Sequence, residues 1–332
     1  MKKIKWVIAG LTVLIVASAI IFMIGNHYQM TEKRVEIPTE KAKLSAVITF
    51  PKQKKIKGII VFVHGDGPQN ATQDGGYKPV MERFAKSGFL SVSWDKAGIG
   101  NSTGNWLDQS MDDRAKEVSQ VIAWLKIKYP KEAKQIGLWG ASQAGWVIPK
   151  VMSTNPKIDF SMLVGPAINW MRQRLYNTDW RIADAGGSKS ERLAERSAFE
   201  KDAQLIKENA TVDAYKSAGG KEKLSSDRYL FIRRNLDADA TADLANIKRP
   251  LYLVLAEKDK NVNSLETKAI YTDVIKKSVL QVKTISNTEH MMLNPKIAHH
   301  KFLVTLTAVM MPKYFLVDQD YLNYCQEVAE AQ

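Results

Sequence analysis

The segment at residues 136–146 constrains the fold more than any other, because it joins two apolar segments through an abrupt turn. Its sequence is IGLWGASQAGW, and an apolar helix is predicted to follow over Trp146–Met152. A sharp strand-to-helix turn strains the backbone of Ser142 and leaves no room for large neighbours, which explains Gly140 and Ala144 two residues to either side. Such a turn exposes the serine oxygen above a sheet and directs the next backbone N–H groups to one point. The pattern therefore predicts a nucleophilic hydroxyl.

Further apolar segments alternate with predicted helices, and this alternation is typical of an α/β sheet. Most are continuous aliphatic runs, as expected for a mostly parallel sheet that is covered by helices on both faces. Helices are predicted at Tyr77–Lys86 and at Met111–Lys128. A first edge strand is expected in the polar stretch before residue 43. The other predicted strands are Leu44–Phe50, Gly58–Val63, Phe89–Trp94, Ile136–Trp139, Phe160–Val164, Leu251–Leu255 and Val279–Ile285.

Composition excludes several classes of protein. The chain has 332 residues, of which 45% are hydrophobic and 25% charged, so it is neither disordered nor fibrous. The single cysteine, Cys325, excludes an internal disulfide and a thiolate metal cage, and five histidines argue against a structural zinc site. We expect no metal and no cofactor. The net charge of +13 leaves nucleic acid, an anionic membrane surface and acidic substrates as candidate partners.

The N-terminal segment favours the membrane among these candidate partners. Residues Trp6–Gly25 form an uncharged apolar run that is long enough, at about 1.5 Å per residue, to span a hydrocarbon core of about 30 Å. Lys2, Lys3 and Lys5 precede it and favour a cytoplasmic N-terminus, which places the rest of the chain outside. The alternative is a cleavable signal peptide with a small-residue site at residues 17–19, but the apolar run continues beyond that site. We therefore expect an uncleaved single-pass anchor in the cell membrane and no nucleic-acid partner. The surplus lysines would face anionic lipid or the cell envelope.

A long polar segment interrupts the alternation of strands and helices. Residues 168–248 lack a convincing strand and carry many charges of both signs, and helices are predicted at Ser188–Asn209 and Ser226–Asn235. A helical insertion after a core strand is expected to cover a site as a cap; the alternative is a helical excursion packed at the side. The predicted domains are an anchor and tether at 1–30, a core at 31–166 and 249–332, and a helical cap at 167–248.

A second glycine-rich turn lies upstream of the serine. The predicted strand Gly58–Val63 leads directly into the sequence HGDGP at residues 64–68. A loop of this type can donate a backbone N–H to a developing oxyanion, which lowers the barrier of acyl transfer. We predict that the N–H groups of Asp66 and Gln143 form this oxyanion hole; a glycine turn without a catalytic part is the alternative. His64 is expected to be structural, because it precedes the loop and does not lie late in the chain.

The order of these features resembles that of the α/β-hydrolases. HGDGP follows one strand, the sequence DKAGIGNSTG at residues 95–104 follows the next, and the turn around Ser142 follows a third. The resemblance is strongest to dienelactone-hydrolase-like esterases, acyl-CoA thioesterase-related proteins and serine aminopeptidase-like hydrolases, and it covers about residues 40–312. It implies an α/β-hydrolase fold with an acid after a late strand and a histidine near the end of the chain. Asp259 resembles this acid and His290, after the last strand, resembles the catalytic base.

These three residue types suit nucleophilic catalysis. A serine hydroxyl is a poor nucleophile near neutrality, so His290 would accept its proton during attack, and Asp259 would fix the tautomer of the imidazole. Glu257 is an alternative acid, two residues away from Asp259. Asp95 also follows a strand, but its glycine-rich surroundings favour a structural turn.

Together these features predict a membrane-anchored, extracytoplasmic serine hydrolase that cleaves carboxylic esters through an acyl-enzyme on Ser142. Its partner would be a small-molecule ester or acyl substrate, and the sequence makes no prediction of oligomeric state. One alternative is a serine aminopeptidase-like peptidase of the same fold, in which Asp179 or Asp184 would bind the amine of the substrate. Another is a non-catalytic envelope-binding protein on a hydrolase scaffold.

Overall fold

The computed structural model describes residues 2–293, 295–298 and 300–332, and these form an eight-stranded sheet. The strands are β1 (Met30–Pro38), β2 (Lys43–Pro51), β3 (Gly58–Val63), β4 (Phe89–Trp94), β5 (Ile136–Ala141), β6 (Phe160–Val164), β7 (Leu251–Ala256) and β8 (Leu280–Ile285). Their order across the sheet is β1-β2-β4-β3-β5-β6-β7-β8. Strands β3 to β8 are parallel, whereas β2 is antiparallel to both of its neighbours. The mostly parallel sheet predicted from the sequence is therefore confirmed.

Helices cover both faces of this sheet, as the continuous apolar strands predict. Side chains of β3 alternate between two apolar cores, with Ile59 and Val61 in the first core, on one face, and Ile60 and Phe62 in the second core, on the other face. The helices are α1 (Lys2–Gly25), α2 (Lys78–Lys86), α3 (Met111–Lys128), α4 (Ile148–Thr154), α5 (Trp170–Asp184), α6 (Lys189–Glu208), α7 (Val212–Ser217), α8 (Ser226–Asn235), α9 (Thr241–Ala245), α10 (Ser264–Val274), α11 (Pro295–Ala298), α12 (Lys301–Met310) and α13 (Gln319–Glu330). The helix that was predicted to begin at Trp146 begins at Ile148, after a short 3-10 turn.

The C-terminal helix α13 is part of the core, although it lies beyond the segment that resembles known hydrolases. Leu322 and Cys325 are fully buried, and the hydroxyl of Tyr321 accepts a hydrogen bond of 3.2 Å from the indole N–H of Trp139 on β5. Asp318 caps the helix by accepting hydrogen bonds from the backbone of the first turn. Because Trp139 lies three residues before Ser142, this helix supports the strand that carries the serine.

The N-terminal helix α1 is apolar on all sides. Among the described residues, it is the one helix long and apolar enough to cross a membrane, with a mean hydropathy of 2.8 over Ile4–Gly25 and none of that span buried. A tether was expected up to about residue 30, but residues 26–29 alone separate α1 from β1, and Tyr28 is already buried in the core. The helix therefore joins the folded domain almost directly.

Helices α5–α9 lie between β6 and β7, and their buried residues belong to the core on one face of the sheet. Tyr215 and Tyr229 are fully buried there with their rings 5.3 Å apart, and the hydroxyl of Tyr215 donates to Asp202. The insertion is also joined to the main domain through Trp170, whose ring stacks on that of Trp146 at 5.3 Å. Because Trp146 follows Ser142 by four residues, the insertion lies next to the serine.

Candidate active site

Ser142 lies at the turn between β5 and the 3-10 helix that leads into α4. Its φ is 54°, in the left-handed region, which costs a residue other than glycine about 1–3 kcal/mol. A Cβ on Gly140 would lie 2.6 Å from the Cβ of Ala144, and one on Gly145 would lie 2.5 Å from the carbonyl oxygen of Ala167. The structure thus has the strained turn that the sequence predicts, and it adds Gly145 to the residues that the turn requires.

Asp259 and His290 form a pair in which the carboxylate is buried and the imidazole is half-buried. The Nδ1 atom of His290 lies 2.8 Å from Oδ2 of Asp259, in the loop that follows β7. The other carboxylate oxygen accepts hydrogen bonds of 2.8 Å from the backbone N–H groups of Asn261 and Val262. The side chain of Asp259 is fully buried, so its position is fixed by these bonds. This arrangement keeps the proton of the neutral imidazole on Nδ1 and leaves Nε2 as the atom that can accept one.

Ser142 and His290 line the same cavity, which has a volume of about 250 Å³. Gly165 lies against Asp259 and His290: a Cβ at this position would lie 3.3 Å from Nδ1 of His290 and 3.4 Å from Oδ2 of Asp259. In the described part of the chain the hydroxyl of Ser142 makes no hydrogen bond. The hydrogen bond between a catalytic serine and its histidine is often long in the absence of substrate and shortens when substrate binds.

The loop after β3 runs beside Ser142. Two buried cationic side chains donate hydrogen bonds to its backbone carbonyl oxygens. The ammonium of Lys96 donates to the carbonyl oxygens of Gly65 at 2.6 Å and Gly67 at 2.8 Å. The guanidinium of Arg114 donates to the carbonyl oxygen of His64 at 2.7 Å. With these carbonyls held on one side, the loop's conformation is fixed beside the serine, as an oxyanion hole requires.

The roles of Lys96 and Arg114 are not predicted by the sequence patterns. Burial lowers the pKa of both groups, that of Lys96 to well below its ordinary value. A signal for Arg114 was present, because it lies at helical spacing from Val118 and Val121 on the buried face of α3, where a charge is costly unless it is paired. Lys96 carries no such signal, since it lies in a loop.

His64 is buried and structural, as its place in the sequence suggests. Its Nε2 atom lies 2.6 Å from the carbonyl oxygen of Trp94, and its ring stacks on Tyr77. Burial lowers the pKa of His64 to about 3, with a further contribution from the charge of Lys96. The imidazole is therefore neutral at physiological pH and holds β3 against β4.

The two residues predicted to form the oxyanion hole are linked to each other and to the helical insertion. The side-chain amide of Gln143 donates to Asp66 at 3.0 Å, and its carbonyl oxygen accepts from Arg114. Arg228 of α8 donates to both carboxylate oxygens of Asp66, at 3.2 and 2.9 Å. Burial alone would raise the pKa of Asp66, but Arg228 holds it below its ordinary value. Asp66 thus joins the serine turn to the insertion.

Helix α5 of the insertion also contacts the loop that carries the acid. The hydroxyl of Tyr176 donates to the carbonyl oxygen of Asp259 at 2.8 Å, and Gln173 donates to that of Asn261 at 3.1 Å. The insertion therefore touches the site on two sides, through α5 at the acid loop and through α8 at Asp66.

Two cavities meet at Ser142 among the described residues. The first, of about 310 Å³, lies under α5–α8, and the second is the one of about 250 Å³ that contains His290. The second cavity has largely apolar walls around a few polar groups, as is usual for small-molecule sites, whereas the first is lined by polar and apolar side chains alike. The apolar and aromatic side chains of the first include Trp146, Trp170, Phe199, Ile206 and Leu224, and those of the second include Tyr77, Val80, Met292, Val317 and Tyr321.

The other acidic candidates lie elsewhere. Glu257 accepts from the backbone N–H of Asn287, and Asp95 accepts from that of Ala71, as expected for a structural turn. In the insertion, Asp179 accepts from Arg196 and Asp184 accepts from Lys260, and neither lines the two cavities. Within the described ranges, no cluster of three His, Cys, Asp or Glu side chains could hold a metal ion.

The model of the serine aminopeptidase family, S33, matches residues 54–296, which is more than two thirds of the chain. The chain belongs to this family. The match confirms the resemblance to α/β-hydrolases of the serine aminopeptidase-like branch, and the sheet and its helices confirm the α/β-hydrolase fold. It spans Ser142, Asp259 and His290 of this S33-family hydrolase, and it ends before α12 and α13.

Solved structures with the same fold include esterases and peptidases. An esterase from Pyrococcus furiosus is 19% identical to the S33-family hydrolase, with a TM-score of 0.56 and 91% of each chain covered. Est1E from Butyrivibrio proteoclasticus, solved with bound ferulic acid, is 14% identical, with a TM-score of 0.55 over 90% of this chain and 96% of that one. A proline iminopeptidase from Mycobacterium smegmatis is 15% identical, with a TM-score of 0.54 over 90% of this chain and 100% of that one. No curated protein sequence matches the chain.

Proposed function

We propose that this protein is a membrane-anchored serine hydrolase that cleaves carboxylic esters through an acyl-enzyme on Ser142. The observation that carries the proposal is the pairing of Asp259 with His290 beside the cavity into which the strained Ser142 projects. Strain of this kind persists where the surrounding structure enforces it, and it is common at catalytic residues. A scaffold that only binds would not need all three side chains together.

The proposed reaction has two halves. Ser142 Oγ attacks the acyl carbonyl carbon, while Nε2 of His290 accepts the hydroxyl proton and Asp259 stabilises the imidazolium. The backbone N–H groups of Asp66 and Gln143 would bind the oxyanion, and the alcohol leaves with the proton from His290. A water molecule then gives its proton to His290 and attacks the acyl-enzyme, which releases the acid and restores the serine. These steps need no metal or cofactor.

Ester substrates are favoured over peptides by the charge pairing around the first cavity. An aminopeptidase needs a carboxylate that is available to bind the substrate's amine. The carboxylates that line this cavity are Asp66 and Glu222, and each is paired with an arginine: Asp66 with Arg228 at 2.9 Å and Glu222 with Arg174 at 3.7 Å. An incoming amine would have to displace one of them.

Membrane anchoring is proposed from α1 and the lysines in its first turn. The helix is long enough to span a bilayer, it is exposed on all sides, and Lys2, Lys3 and Lys5 favour a cytoplasmic N-terminus. The catalytic domain would then be extracytoplasmic. N-terminal sequencing of the mature protein should start at Met1 or Lys2, and a start near Ile20 would show a cleaved signal peptide instead.

The catalytic proposal is tested by labelling with a fluorophosphonate, which reacts with activated serines. Wild type should label, the Ser142→Ala variant should not, and Ser119→Ala should label normally because that hydroxyl bonds to the backbone of its own helix. Short p-nitrophenyl esters and aminoacyl-nitroanilides then distinguish an esterase from a peptidase. Labelling with turnover of the anilides alone would favour the aminopeptidase, and a wild type that does not label would favour a binding protein.

A further inference from the structure

Helix α12 presents an unusually apolar surface. Its first residue, Lys301, is the one charged residue in its sequence, and the helix ends in Ala308-Val309-Met310. Val304 and Ala308 are half-buried against the second core. The opposite side is exposed, with Phe302 at 75% and Val309 at 66%. We define the α12 face as the exposed apolar side chains of Phe302, Leu303, Leu306, Val309 and Met310.

A helix surface that faces water normally carries polar residues. Single exposed apolar residues are common, and Ile127 on α3 is one: it lies between Lys126 and Lys128. The α12 face differs because its members are neighbours on one helix and Met291 and Phe315 are exposed as well. Contiguous apolar patches of this kind mark contacts with membranes or with other proteins.

The position of α12 favours a contact with the membrane over a contact with another protein. Helix α1 ends against the segment that follows α12, so closely that a Cβ on Gly25 would lie 2.2 Å from Cγ of Pro312. The ring of Tyr28 lies 5.8 Å from that of Tyr314 in the same segment. Because residues 26–29 alone join α1 to β1, the domain has no long tether on which to swing away. The α12 face therefore lies where the apolar anchor enters the domain.

A lysine lies at the same junction, and two more follow it in the chain. The ammonium of Lys52 donates to the carbonyl oxygen of Tyr28, and Lys54 and Lys55 are exposed in the loop that follows. Lysines beside an apolar surface suit the anionic headgroups of a bilayer.

We propose that the α12 face inserts into the lipid bilayer beside α1, as a second membrane contact of the catalytic domain. The proposal rests on the membrane anchoring given under the proposed function and goes further by fixing the orientation of the domain. The occupant of the face is the acyl-chain region of the leaflet next to the domain. The exposed apolar side chains of the α12 face and the contact of α1 with the segment after α12 are the observations that support it.

This orientation also indicates the class of substrate. Met291 is exposed, lies ten residues before α12 in the chain, and lines the cavity that contains Ser142 and His290, together with Met292 and Val317. We infer that this wall of the cavity opens towards the surface proposed to contact lipid. An amphiphilic ester with a long acyl chain could pass from the leaflet into this cavity without its chain crossing water.

The insertion is tested on the full chain in vesicles of phosphatidylcholine and phosphatidylglycerol. Single cysteines at Leu306→Cys, Ile127→Cys and Leu14→Cys carry an environment-sensitive fluorophore, and wild type serves as the labelling blank because its one cysteine, Cys325, is buried. Nitroxides on the lipid acyl chains should quench the probe at position 306 and at position 14, which lies within α1. They should not quench the probe at position 127.

Each other outcome overturns the proposal in a distinct way. Quenching at position 14 with none at 306 would leave the anchor in place and remove the second contact. No quenching at either position would remove the anchor as well, while fluorophosphonate labelling of Ser142 would still test the enzyme. A probe at position 306 that is shielded from aqueous iodide but not quenched by lipid would show that protein, either α1 or a second copy, covers the face.

The substrate class is tested by charge substitution on the face. Leu306→Glu should lower the hydrolysis of a long-chain p-nitrophenyl ester embedded in vesicles by about tenfold, because a buried charge disfavours insertion. The same variant should hydrolyse water-soluble p-nitrophenyl acetate within about twofold of wild type, and Ile127→Glu should leave both rates unchanged. Equal losses on the two esters would contradict entry from the leaflet.

Discussion

At the scale of single residues, the proposed site depends on which carboxylate orients His290. Asp259 and Glu257 lie two residues apart in one loop, and the sequence left both possible. Side chains two residues apart lie on the same side of an extended backbone, so the spacing alone does not distinguish the two carboxylates. In the structure Asp259 is fully buried and bonded to His290, whereas Glu257 bonds to the backbone of Asn287.

Asparagine at position 259 would donate a hydrogen bond to His290 in place of accepting one, which would place the imidazole proton on Nε2. We expect Asp259→Asn to lower kcat for a short ester by about 10⁴-fold, since the wrong tautomer cannot accept the proton of Ser142. Glu257→Gln is the matched control and should stay within about twofold of wild type. If Glu257→Gln loses more activity than Asp259→Asn, the acid has been assigned to the wrong residue.

The buried neutral His64 makes stability depend on pH. Its pKa is lowered to about 3 in the folded state by burial, against an ordinary value of 6.5. The unfolded chain therefore binds a proton below pH 6.5 that the folded chain does not bind, and acid favours unfolding. This contribution to stability is fully present above pH 6.5 and is lost as the pH falls towards 3.

Between pH 6.5 and 5, where few carboxylates titrate, this effect should lower the free energy of unfolding by about 1.4 kcal/mol per pH unit. His64→Gln should flatten that dependence, whatever its effect on stability at neutral pH. His27→Gln, which changes an exposed histidine, should give a curve parallel to that of wild type. Urea unfolding at several pH values provides the measurement, and parallel curves for all three proteins would contradict the assignment.

At the scale of elements, the strands and the serine turn were predictable, whereas the support beneath the loop after β3 was not. The bounds of β3, β4 and β6 follow from apolar runs that end at polar or glycine residues, a local pattern. Lys96 reaches the carbonyl oxygens of Gly65 and Gly67 from about thirty residues along the chain. A contact of that kind depends on the packing of β3 against β4, and no local pattern encodes it.

Lys96 is proposed as a positioning residue for this loop. Lys96→Met would leave two buried carbonyl oxygens without donors, so the loop should lose its fixed conformation beside Ser142. We expect kcat for a short ester to fall about 10- to 100-fold with little change in KM, because the loss concerns the oxyanion and not substrate binding. The acylation rate with a fluorophosphonate should fall in parallel.

Lys57→Met is a close control for that substitution. The ammonium of Lys57 also donates to a backbone carbonyl oxygen, that of Ala329, and lies 4.9 Å from the ring centroid of Phe89, whereas Lys96 lies 4.7 Å from that of Trp106. It is remote from the serine, so its loss should affect stability and leave kcat within about twofold. Equal losses of kcat in the two variants would show that Lys96 acts through stability alone.

At the scale of the whole molecule, contacts between residues far apart in the sequence place the terminal helices against the sheet and the rest of the domain. The pattern from β3 to β8 was sufficient to predict the α/β sheet, and it is also the source of the proposal that Ser142, Asp259 and His290 act together. It did not predict that α13 packs behind β5. The amphipathic pattern of a helix predicts that one face is buried, but not which element that face contacts. The direct junction of α1 with the domain was missed for the same reason, because it depends on Gly25 meeting Pro312.

The contribution of α13 to the whole fold can be measured with a pair of leucines. Leu322 is fully buried between α13 and the second core, whereas Leu265 on α10 is 82% exposed. Leu322→Ala should lower the free energy of unfolding by about 2–5 kcal/mol, since it removes buried methyl groups and leaves a cavity. Leu265→Ala should change it by less than about 0.5 kcal/mol. Urea unfolding in detergent gives both values. A domain of this kind has a free energy of unfolding of about 5–15 kcal/mol. A loss of the expected size would therefore show that the packing of α13 contributes a large share of that stability, although the family match ends before this helix. Equal, small losses would instead make α13 a peripheral helix.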